Sequence, residues 1–263
     1  MGRVAPLADR GRLEAFLRQA PDLYGYHLGD LDDFFWPRTR WWGLSDEAGA
    51  LREVALLYQG VAPPTLLGLS RDPQGLHALL RGISDALPAR VYAHLSPGAL
   101  SALGLGWRSE PHGLHLKMRL CDPAPAAGLD LAQAAPLGPG DLAPLLDLYR
   151  RAYPGNWFDA RMLETGFYRG VWAGQRLLSV AGVHVVSSTL GVAALGNITT
   201  DPAARGRGLA AISTAAVVGA LREAGVRAIG LNVHASNAGA IGLYRRLGFE
   251  VAAEYEEHLL ERA

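Results

Sequence analysis

The chain has 263 residues, of which 49% are hydrophobic, so it can form one large domain or two smaller domains with cores of their own. Its 25 basic and 25 acidic residues cancel, which argues against the basic surface of a nucleic-acid-binding protein. The single cysteine, Cys121, excludes an internal disulfide and a cysteine metal cluster. The first 17 residues lack the apolar core and cleavage site of a secretion signal, so we expect a cytoplasmic protein.

An acidic and aromatic cluster lies in the N-terminal half, in the segment DLDDFFWPRTRWWG. Asp30, Asp32 and Asp33 precede the aromatic residues. Three carboxylates could suggest a divalent cation, but no further ligands follow at a known spacing, and we predict no metal site. The segment favours a helix end that leads into aromatic side chains, which we expect to bury against a partner domain.

The composition changes at residues 121–130, CDPAPAAGLD, an Ala- and Pro-rich segment without periodicity that is typical of an exposed linker. It separates two halves of the chain. We predict an N-terminal domain at 1–122, a linker and domain entry at 123–135, and a C-terminal domain at 136–263.

The C-terminal half begins with GDLAPLLDLYRRAYP, which predicts a helix with Asp141 as its N-cap and an end before Pro154. The segment 177–198 then has no Asp, Glu, Lys or Arg and the length of a membrane span. His184 and the turn residues at 187–191 divide it into two β-rich runs. We therefore predict an antiparallel hairpin and no membrane association.

Helices and strands alternate after the hairpin. We predict a helix at about 209–224, a strand in RAIGLNV, a helix in NAGAIGLYRRLG and a last strand in EVAAEYEEHLL. Gly225 and Gly248 stand where a helix C-terminus requires a left-handed residue. This order indicates an α/β chain of the α+β type, in which helices flank a mixed sheet.

The first half contains a fainter copy of this plan. LLGLSRDP resembles LGNITTDP, and ARVYAHLSPGALSALGLGWRSE resembles RAIGLNVHASNAGAIGLYRRLGFEVAAE. The two copies differ in the segment that follows the first of these matches. Only the second copy contains the Gly- and Arg-rich sequence ARGRGLA.

That sequence stands between a strand and a helix and has the chemistry of an anion site. The first N–H groups of a helix lack intrahelical acceptors and carry the positive end of the helix dipole. Gly206 and Gly208 permit unusual φ angles and close approach, while Arg205 and Arg207 add charge suited to phosphate oxygens. We predict that the loop binds a phosphate-bearing ligand.

Three kinds of phosphate loop compete for this sequence. A Walker loop needs Gly-Lys-Ser/Thr, which is absent. A dinucleotide loop could use Gly206, Gly208 and Ala211, but five residues separate its glycines from the strand, and no acidic residue closes the next strand. The third pattern, Arg205-x-x-Gly208-x-Ala210 after a strand and a proline, resembles the pyrophosphate loop of the GNAT superfamily of acyl-CoA-dependent N-acyltransferases.

The resemblance covers residues 136–258 and includes a second motif, in which Asn237, Ala240, Tyr244 and Gly248-Phe249 match the family pattern. It implies tandem GNAT-like domains, each with a mixed, mostly antiparallel, twisted sheet flanked by helices. It also implies that acetyl-CoA, as the acyl donor, lies where two strands splay apart, with Asn237 and Ala240 near its pantetheine arm. The donor-binding residues that it implies are Ile198, Thr199, Thr200, Arg205, Gly206, Arg207, Gly208, Leu209, Ala210, Asn237 and Ala240.

The resemblance assigns Tyr244 as the general acid that protonates the departing thiolate. Many family members carry a glutamate base on the strand before the loop, but this chain offers only Asn197, Thr199 and Thr200 there. His184, on the neighbouring hairpin strand, is the candidate base, with His234 and Glu164 as further candidates. Trp157, Phe158 and Tyr168 either line an acceptor pocket or form a small aromatic core.

The first copy lacks the loop, and Ala102 stands at the position of Tyr244, so we expect a degenerate GNAT-like domain there. We predict an N-acetyltransferase that uses acetyl-CoA and no metal and acts on a small-molecule amine. A CoA-binding sensor or scaffold without turnover is the alternative. The sequence specifies neither the acceptor nor the number of subunits.

Overall fold

The protein is described by a computed structural model that covers residues 2–122 and 128–263. Residues 123–127 of the predicted linker lie outside the described residues. The elements up to the linker are β1 Arg3–Pro6, α1 Arg10–Leu17, α2 Pro21–Gly29, β2 Thr39–Ser45, β3 Leu51–Tyr58, β4 Thr65–Gly68, α3 Pro73–Ile83, β5 Arg90–Leu95 and β6 Trp107–Leu120. Those after it are β7 Ala134–Leu137, α4 Leu142–Ala152, β8 Tyr168–Ala173, β9 Arg176–Ser187, β10 Val192–Thr200, α5 Leu209–Glu223, β11 Ala228–His234, α6 Ala238–Arg246 and β12 Phe249–Arg262.

The chain forms two compact units that are discontinuous in sequence. The first is drawn from Met1–Lys117, Val233–Ser236 and Val251–Ala263, and the second from Met118–Asn232 and Asn237–Glu250. Most of the last strand, β12, therefore belongs to the first unit, where it pairs antiparallel with β5. The boundaries 1–122 and 136–263 assume continuous domains and stay a prediction, because the pattern of a strand does not reveal which sheet it joins.

The sheets of the two units repeat one pairing pattern. In the first unit, β1, β2, β3 and β4 pair antiparallel in sequence, and β4 then pairs parallel with β5. In the second unit, β7, β8, β9 and β10 pair antiparallel, and β10 pairs parallel with β11. A helix, α3 or α5, connects the two parallel strands in each case, as a parallel crossover requires. The predicted tandem of mixed, mostly antiparallel sheets is confirmed.

The uncharged segment forms the predicted hairpin. Strands β9 and β10 pair antiparallel around a turn in which Gly191 has φ 70°, and the N–H of Leu190 donates to Ser187 Oγ at 3.1 Å. Among the described residues, no helix is long and apolar enough to cross a membrane. The uncharged residues serve the core instead, because both strands are buried along most of their length.

The helices of the second unit follow the sequence patterns closely. Helix α5 begins one residue after Gly208, and Gly225 and Gly248 follow α5 and α6 with φ 84° and 87°. Leu209 and Ile212 of α5 pack with Val171 of β8 in one apolar cluster. An added Cβ on Gly248 would lie 1.5 Å from the carbonyl oxygen of Asp122, so this position admits only glycine.

One local prediction was confirmed only in part, and another was wrong. Asp141 is the N-cap residue of α4, as predicted, but its side chain makes no capping bond to that helix; its carboxylate instead accepts from the N–H of Gly138 at 2.9 Å in a short 3-10 turn. The aromatic residues after Asp33 pack inside the first unit: Trp42 joins its main apolar cluster, and Trp41 stacks on Trp36 with ring centroids 6.1 Å apart. Sequence alone marks these residues as apolar but does not specify what covers them.

Candidate active site

The strands β10 and β11 separate where the sequence analysis placed the donor. They pair parallel from Val192↔Ala228 to Leu195↔Leu231, and the register ends there although both strands continue. Strand β10 remains paired to β9 as far as Thr200. On the side away from β9, the backbone of Ile198–Thr200 therefore has no strand partner among the described residues. It can accept an extended ligand arm as if it were an added strand.

The loop after β10 is anchored by a buried carboxylate. Asp201 is 3% exposed, and its Oδ1 accepts from the N–H of Ala203 at 3.0 Å. Its Oδ2 accepts from Arg176 at 2.6 Å and from Arg151. The hydrogen bond from Arg176 lowers the pKa of Asp201, so the carboxylate is ionised and holds the loop to β9 and α4.

The loop itself leaves a run of amides open. Gly206 and Gly208 both have φ 77°, which the other residue types rarely adopt, and an added Cβ on either would meet nothing within 4 Å. The first backbone bonds of α5 run from Ala211 and Ile212 to the carbonyl of Gly208. Within the described residues, the N–H groups of 206–210 have no hydrogen-bond acceptor. Successive free amides at a helix N-terminus are able to bind an anion.

The two arginines of the loop are exposed and differ in how they are held. Arg205 Nε lies 3.4 Å from the carbonyl oxygen of Thr200, so this side chain folds back toward the end of β10. Arg207 lies between the two glycines. Both guanidinium groups are therefore close in sequence to the open amides and can add charge to the same anion site.

Helix α6 carries the second set of residues from the sequence analysis. Asn237 caps the helix, and its Oδ1 accepts from the N–H of Ala240 at 3.1 Å. Tyr244 is only 7% exposed, and its ring lies edge-on to Phe249 with centroids 6.1 Å apart. Burial, with Tyr153 nearby, raises the pKa of Tyr244, so its phenol stays protonated at neutral pH. We find no hydrogen-bond partner for its hydroxyl among the described residues.

His184 lies at a β-bulge of β9. The register passes from Ala194↔Val185 to Leu195↔Val183, which leaves His184 as the extra residue. Its half-buried ring lies against the backbone of Gly196, where an added Cβ would be 1.9 Å from the ring. The missing side chain on β10 thus creates the space that His184 occupies.

The other candidate bases lie elsewhere. Glu164 is exposed on a 3-10 turn, Ala160–Thr165. His234 counts with the first unit, where its Nδ1 bonds to the hydroxyl of Ser236 at 2.7 Å and its ring lies 4.8 Å from that of His115. Of these candidates, His184 has its ring against the backbone of β10, whereas His234 is the last residue of β11.

The aromatic residues before β8 form a small core. Phe158 lies 5.1 Å from Tyr149 and 5.9 Å from Tyr168 between ring centroids, and both tyrosines are buried. Phe158 and Tyr168 therefore make the ring contacts of a small core, whereas an acceptor pocket lined by Trp157, Phe158 and Tyr168 stays a prediction.

Comparison with known proteins agrees with this geometry. Residues 142–249 match the model of the acetyltransferase (GNAT) family. A mycothiol acetyltransferase from Mycolicibacterium vanbaalenii is 30% identical, and the alignment covers 94% of this chain and 93% of the relative. The chain belongs to the GNAT acetyltransferase family. It is accordingly an acetyltransferase, and the family's acyl donor is acetyl-CoA.

Solved structures of GNAT proteins share the fold. An acetyltransferase of the GNAT family from Novosphingobium aromaticivorans has a TM-score of 0.62 at 24% identity, covering 80% of this chain and 88% of its own. A tandem GNAT protein from the clavulanic acid biosynthesis pathway has a TM-score of 0.60 at 18% identity, covering 100% and 98%. The second likeness extends the GNAT fold over the whole chain.

The first unit of this GNAT protein carries a closed counterpart of the loop. Strand β4 is paired with β5 along its whole length, and the N–H of Ser96 continues the pairing to the carbonyl of Gly68 at 3.0 Å. Asp72 caps α3 by accepting from the N–H of Gln74 at 3.0 Å. Ala102 lies buried in a 3-10 helix, so this position offers no hydroxyl. In the described part of this unit, the parallel strands therefore stay paired up to the segment before α3, and the Asp72 carboxylate occupies the N-terminus of that helix.

The sequence analysis did not predict the long-range contacts that surround the candidate site. The ion pairs of Asp201 with Arg151 and Arg176 join residues from three elements, and the hydrogen bonds of Asn197 with Tyr149 and Tyr168 do the same. A local signal existed for Asp201, because Asp before Pro at a loop entry is a capping pattern. Within the described residues, no group of three or more His, Cys, Asp or Glu side chains could hold a metal ion.

Proposed function

We propose that this protein is an N-acetyltransferase that moves the acetyl group of acetyl-CoA directly to a primary amine of a small molecule. The observation that carries the proposal is the open edge of Ile198–Thr200 followed by five free amides at 206–210. An extended arm and a pyrophosphate are the two parts of CoA that such a pair of features would bind. No comparable pair occurs in the first unit, among the described residues.

Donor binding would use the two features in sequence. The pantetheine arm pairs with Ile198–Thr200, and the pyrophosphate takes the amides of 206–210, with Arg205 and Arg207 adding charge. Asn237 uses its Oδ1 to cap α6, which leaves its side-chain N–H groups to donate to the arm, next to Ala240. The fit is supported by the empty space around Gly206 and Gly208.

The proposed chemistry uses two side chains of the second unit, Tyr244 and His184. The amine nitrogen attacks the thioester carbonyl carbon, the C–S bond breaks and acetyl-amine forms. Tyr244 supplies the proton that the departing thiolate takes, for which its raised pKa keeps it in the protonated form. His184 removes the proton that the amine must lose, since an imidazole ring nitrogen can accept a proton.

The acceptor is proposed as a small molecule. The relative from Mycolicibacterium vanbaalenii is named for mycothiol, a small-molecule product, and it matches this chain over nearly its full length. We therefore expect a compound of similar size that carries a primary amine, rather than a nucleic acid or a membrane component.

The alternative, a CoA-binding sensor, is favoured by one observation. Strand β10 has no acidic side chain, and Ala194, Gly196 and Asn197 occupy its middle. In this alternative the site binds acetyl-CoA without turnover.

Release of free thiol from acetyl-CoA decides between the two. The protein is incubated with acetyl-CoA and a panel of small amines, amino acids and amine-bearing thiol precursors, and thiol is measured against a no-enzyme control. For thiol-bearing acceptors, the acetylated product is measured by mass spectrometry instead. The enzyme proposal predicts acceptor-dependent release. Tight CoA binding by calorimetry without release from any acceptor would contradict it and support the sensor.

A further inference from the structure

Asn197 has an unusual backbone in the middle of the donor strand. In the described part of the chain, it is the only residue other than glycine with a positive φ, 54°. It is also 4% exposed. A left-handed residue within a strand is disfavoured unless its surroundings fix it, and such residues collect at functional sites.

Two buried tyrosines hold this residue from both sides. The Nδ2 of Asn197 donates to Tyr168 Oη at 3.0 Å, and Tyr149 Oη donates to the carbonyl oxygen of Asn197 at 3.1 Å. Tyr168 Oη in turn donates to the carbonyl of Val183 at 3.1 Å. The tyrosines come from β8 and α4, so the network ties the donor strand to two other elements.

The conformation of Asn197 creates a bulge in β10. The register with β9 passes from Gly196↔Gly182 to Thr199↔Val180, so β10 has one extra residue in between. Residues 197 and 198 thus leave the regular ladder at the start of the proposed pantetheine edge. Any change in φ at 197 would reorient the peptide groups of Ile198–Thr200.

Two glycines next to this bulge also contact the ring of His184 or that of Tyr168. Gly182 and Gly196 are cross-strand partners, and a ring lies on each of them. An added Cβ would be 2.2 Å from the Tyr168 ring at Gly182 and 1.9 Å from the His184 ring at Gly196. Tyr168 therefore contacts the glycine pair that supports His184 and also bonds to Asn197.

We propose that Tyr149, Tyr168 and Asn197 are positioning residues for acetyl-CoA, holding the β10 bulge in the one conformation that presents Ile198–Thr200 to the donor. This inference rests on the proposed function, because it assigns these residues to the same donor edge. None of the three touches the reacting atoms. Their loss weakens donor binding more than it slows the chemical step.

The test measures the Kd of CoA by calorimetry and the kcat and KM of acetyl transfer for four variants. Tyr149→Phe and Tyr168→Phe each lose one hydroxyl and should raise the Kd and KM about five- to tenfold, with kcat within about twofold. Asn197→Ala loses both the amide and the left-handed preference and should weaken binding more than either. Asn197→Gly restores a residue that adopts positive φ freely and should recover part of the affinity.

The control is Tyr24→Phe, which removes the hydroxyl of a buried tyrosine in the first unit. It should lower the melting temperature without changing the Kd. Equal melting losses in all variants with unchanged Kd would overturn the inference, as would Asn197→Gly binding no better than Asn197→Ala. If the wild-type protein binds CoA but never turns over, the proposed function fails, and the Kd series still decides on the network.

Discussion

The segments before α3 and α5 each connect a strand of a parallel pair to a helix, but they differ at the helix N-terminus. Before α5, the parallel strands part after Leu195, the glycines take positive φ, and five amides stay open. Before α3, the parallel strands stay paired to Gly68, and the capping carboxylate of Asp72 fills the helix N-terminus. A helix N-terminus is a ligand site only if the protein does not supply the anion itself.

A second acidic side chain lies close to α3. Glu53 of β3 is 2% exposed, accepts a hydrogen bond from Ser70, and lies against the first turn of α3, where an added Cβ on Gly75 would be 2.9 Å from its Cγ. No buried acidic side chain other than Asp201, which two arginines neutralise, was found at the corresponding place in the second unit, among the described residues. Asp72 thus occupies the helix N-terminus in the first unit, whereas the amides before α5 stay open.

The largest expected effect concerns Tyr244 and its counterpart Ala102. Tyr244→Phe keeps the ring against Phe249 but removes the proposed acid, so kcat should fall by ~10²–10⁴-fold, while the Kd of acetyl-CoA stays nearly constant. Steady-state kinetics with a confirmed acceptor and calorimetry measure the two quantities. Ala102→Ser, which adds a hydroxyl to the first copy, should change neither. An unchanged kcat in Tyr244→Phe would remove the assigned acid.

An intermediate effect is expected at Gly208. Valine at φ 77° is strained although space is available, so Gly208→Val should shift the loop and weaken CoA binding by at least about tenfold. The matched control is Gly98→Val in the first unit, where the glycine has φ 78°, precedes a short helix and also has open space. It should lower the melting temperature but leave the Kd unchanged. Equal losses of affinity at both positions would contradict a donor site confined to the second unit.

The smallest effect is a pH dependence of stability in the first unit. Burial, with Asp72 nearby, raises the pKa of Glu53 from its ordinary value to about 7. Between these two pKa values the folded protein keeps a proton that the unfolded chain has released, so the free energy of unfolding falls as the pH rises to about 7 and stays at the lower value above it. Glu53→Gln mimics the neutral form and should raise the melting temperature by a few degrees, roughly, at pH 8 but not at pH 5. CoA affinity at pH 8 should not change. A melting difference that is the same at both pH values would show that the carboxyl is not neutral in the folded state.

The sequence by itself determined the local elements and the chemistry of the loop. Hydrophobic periodicity, helix capping and φ preferences act within a few residues. They account for the hairpin of β9 and β10, for the start of α5 after Gly208, and for the glycines that follow α5 and α6, Gly225 and Gly248. The motif at Arg205–Ala210 was recognisable for the same reason, because the groups that bind an anion are consecutive backbone amides. Local rules also indicated the family.

Only the tertiary structure decided which residues support that loop. The ion pair of Asp201 with Arg151, the bonds of Asn197 with Tyr149 and Tyr168, and the ring of His184 on Gly196 join residues far apart in sequence. The pairing of β12 with β5 is likewise a contact between distant segments. Such contacts depend on which surfaces the folded chain brings together, and residue type and spacing carry no information on that. The sequence therefore specified the loop that we propose binds the donor, and long-range packing specified the conformation in which that loop is held.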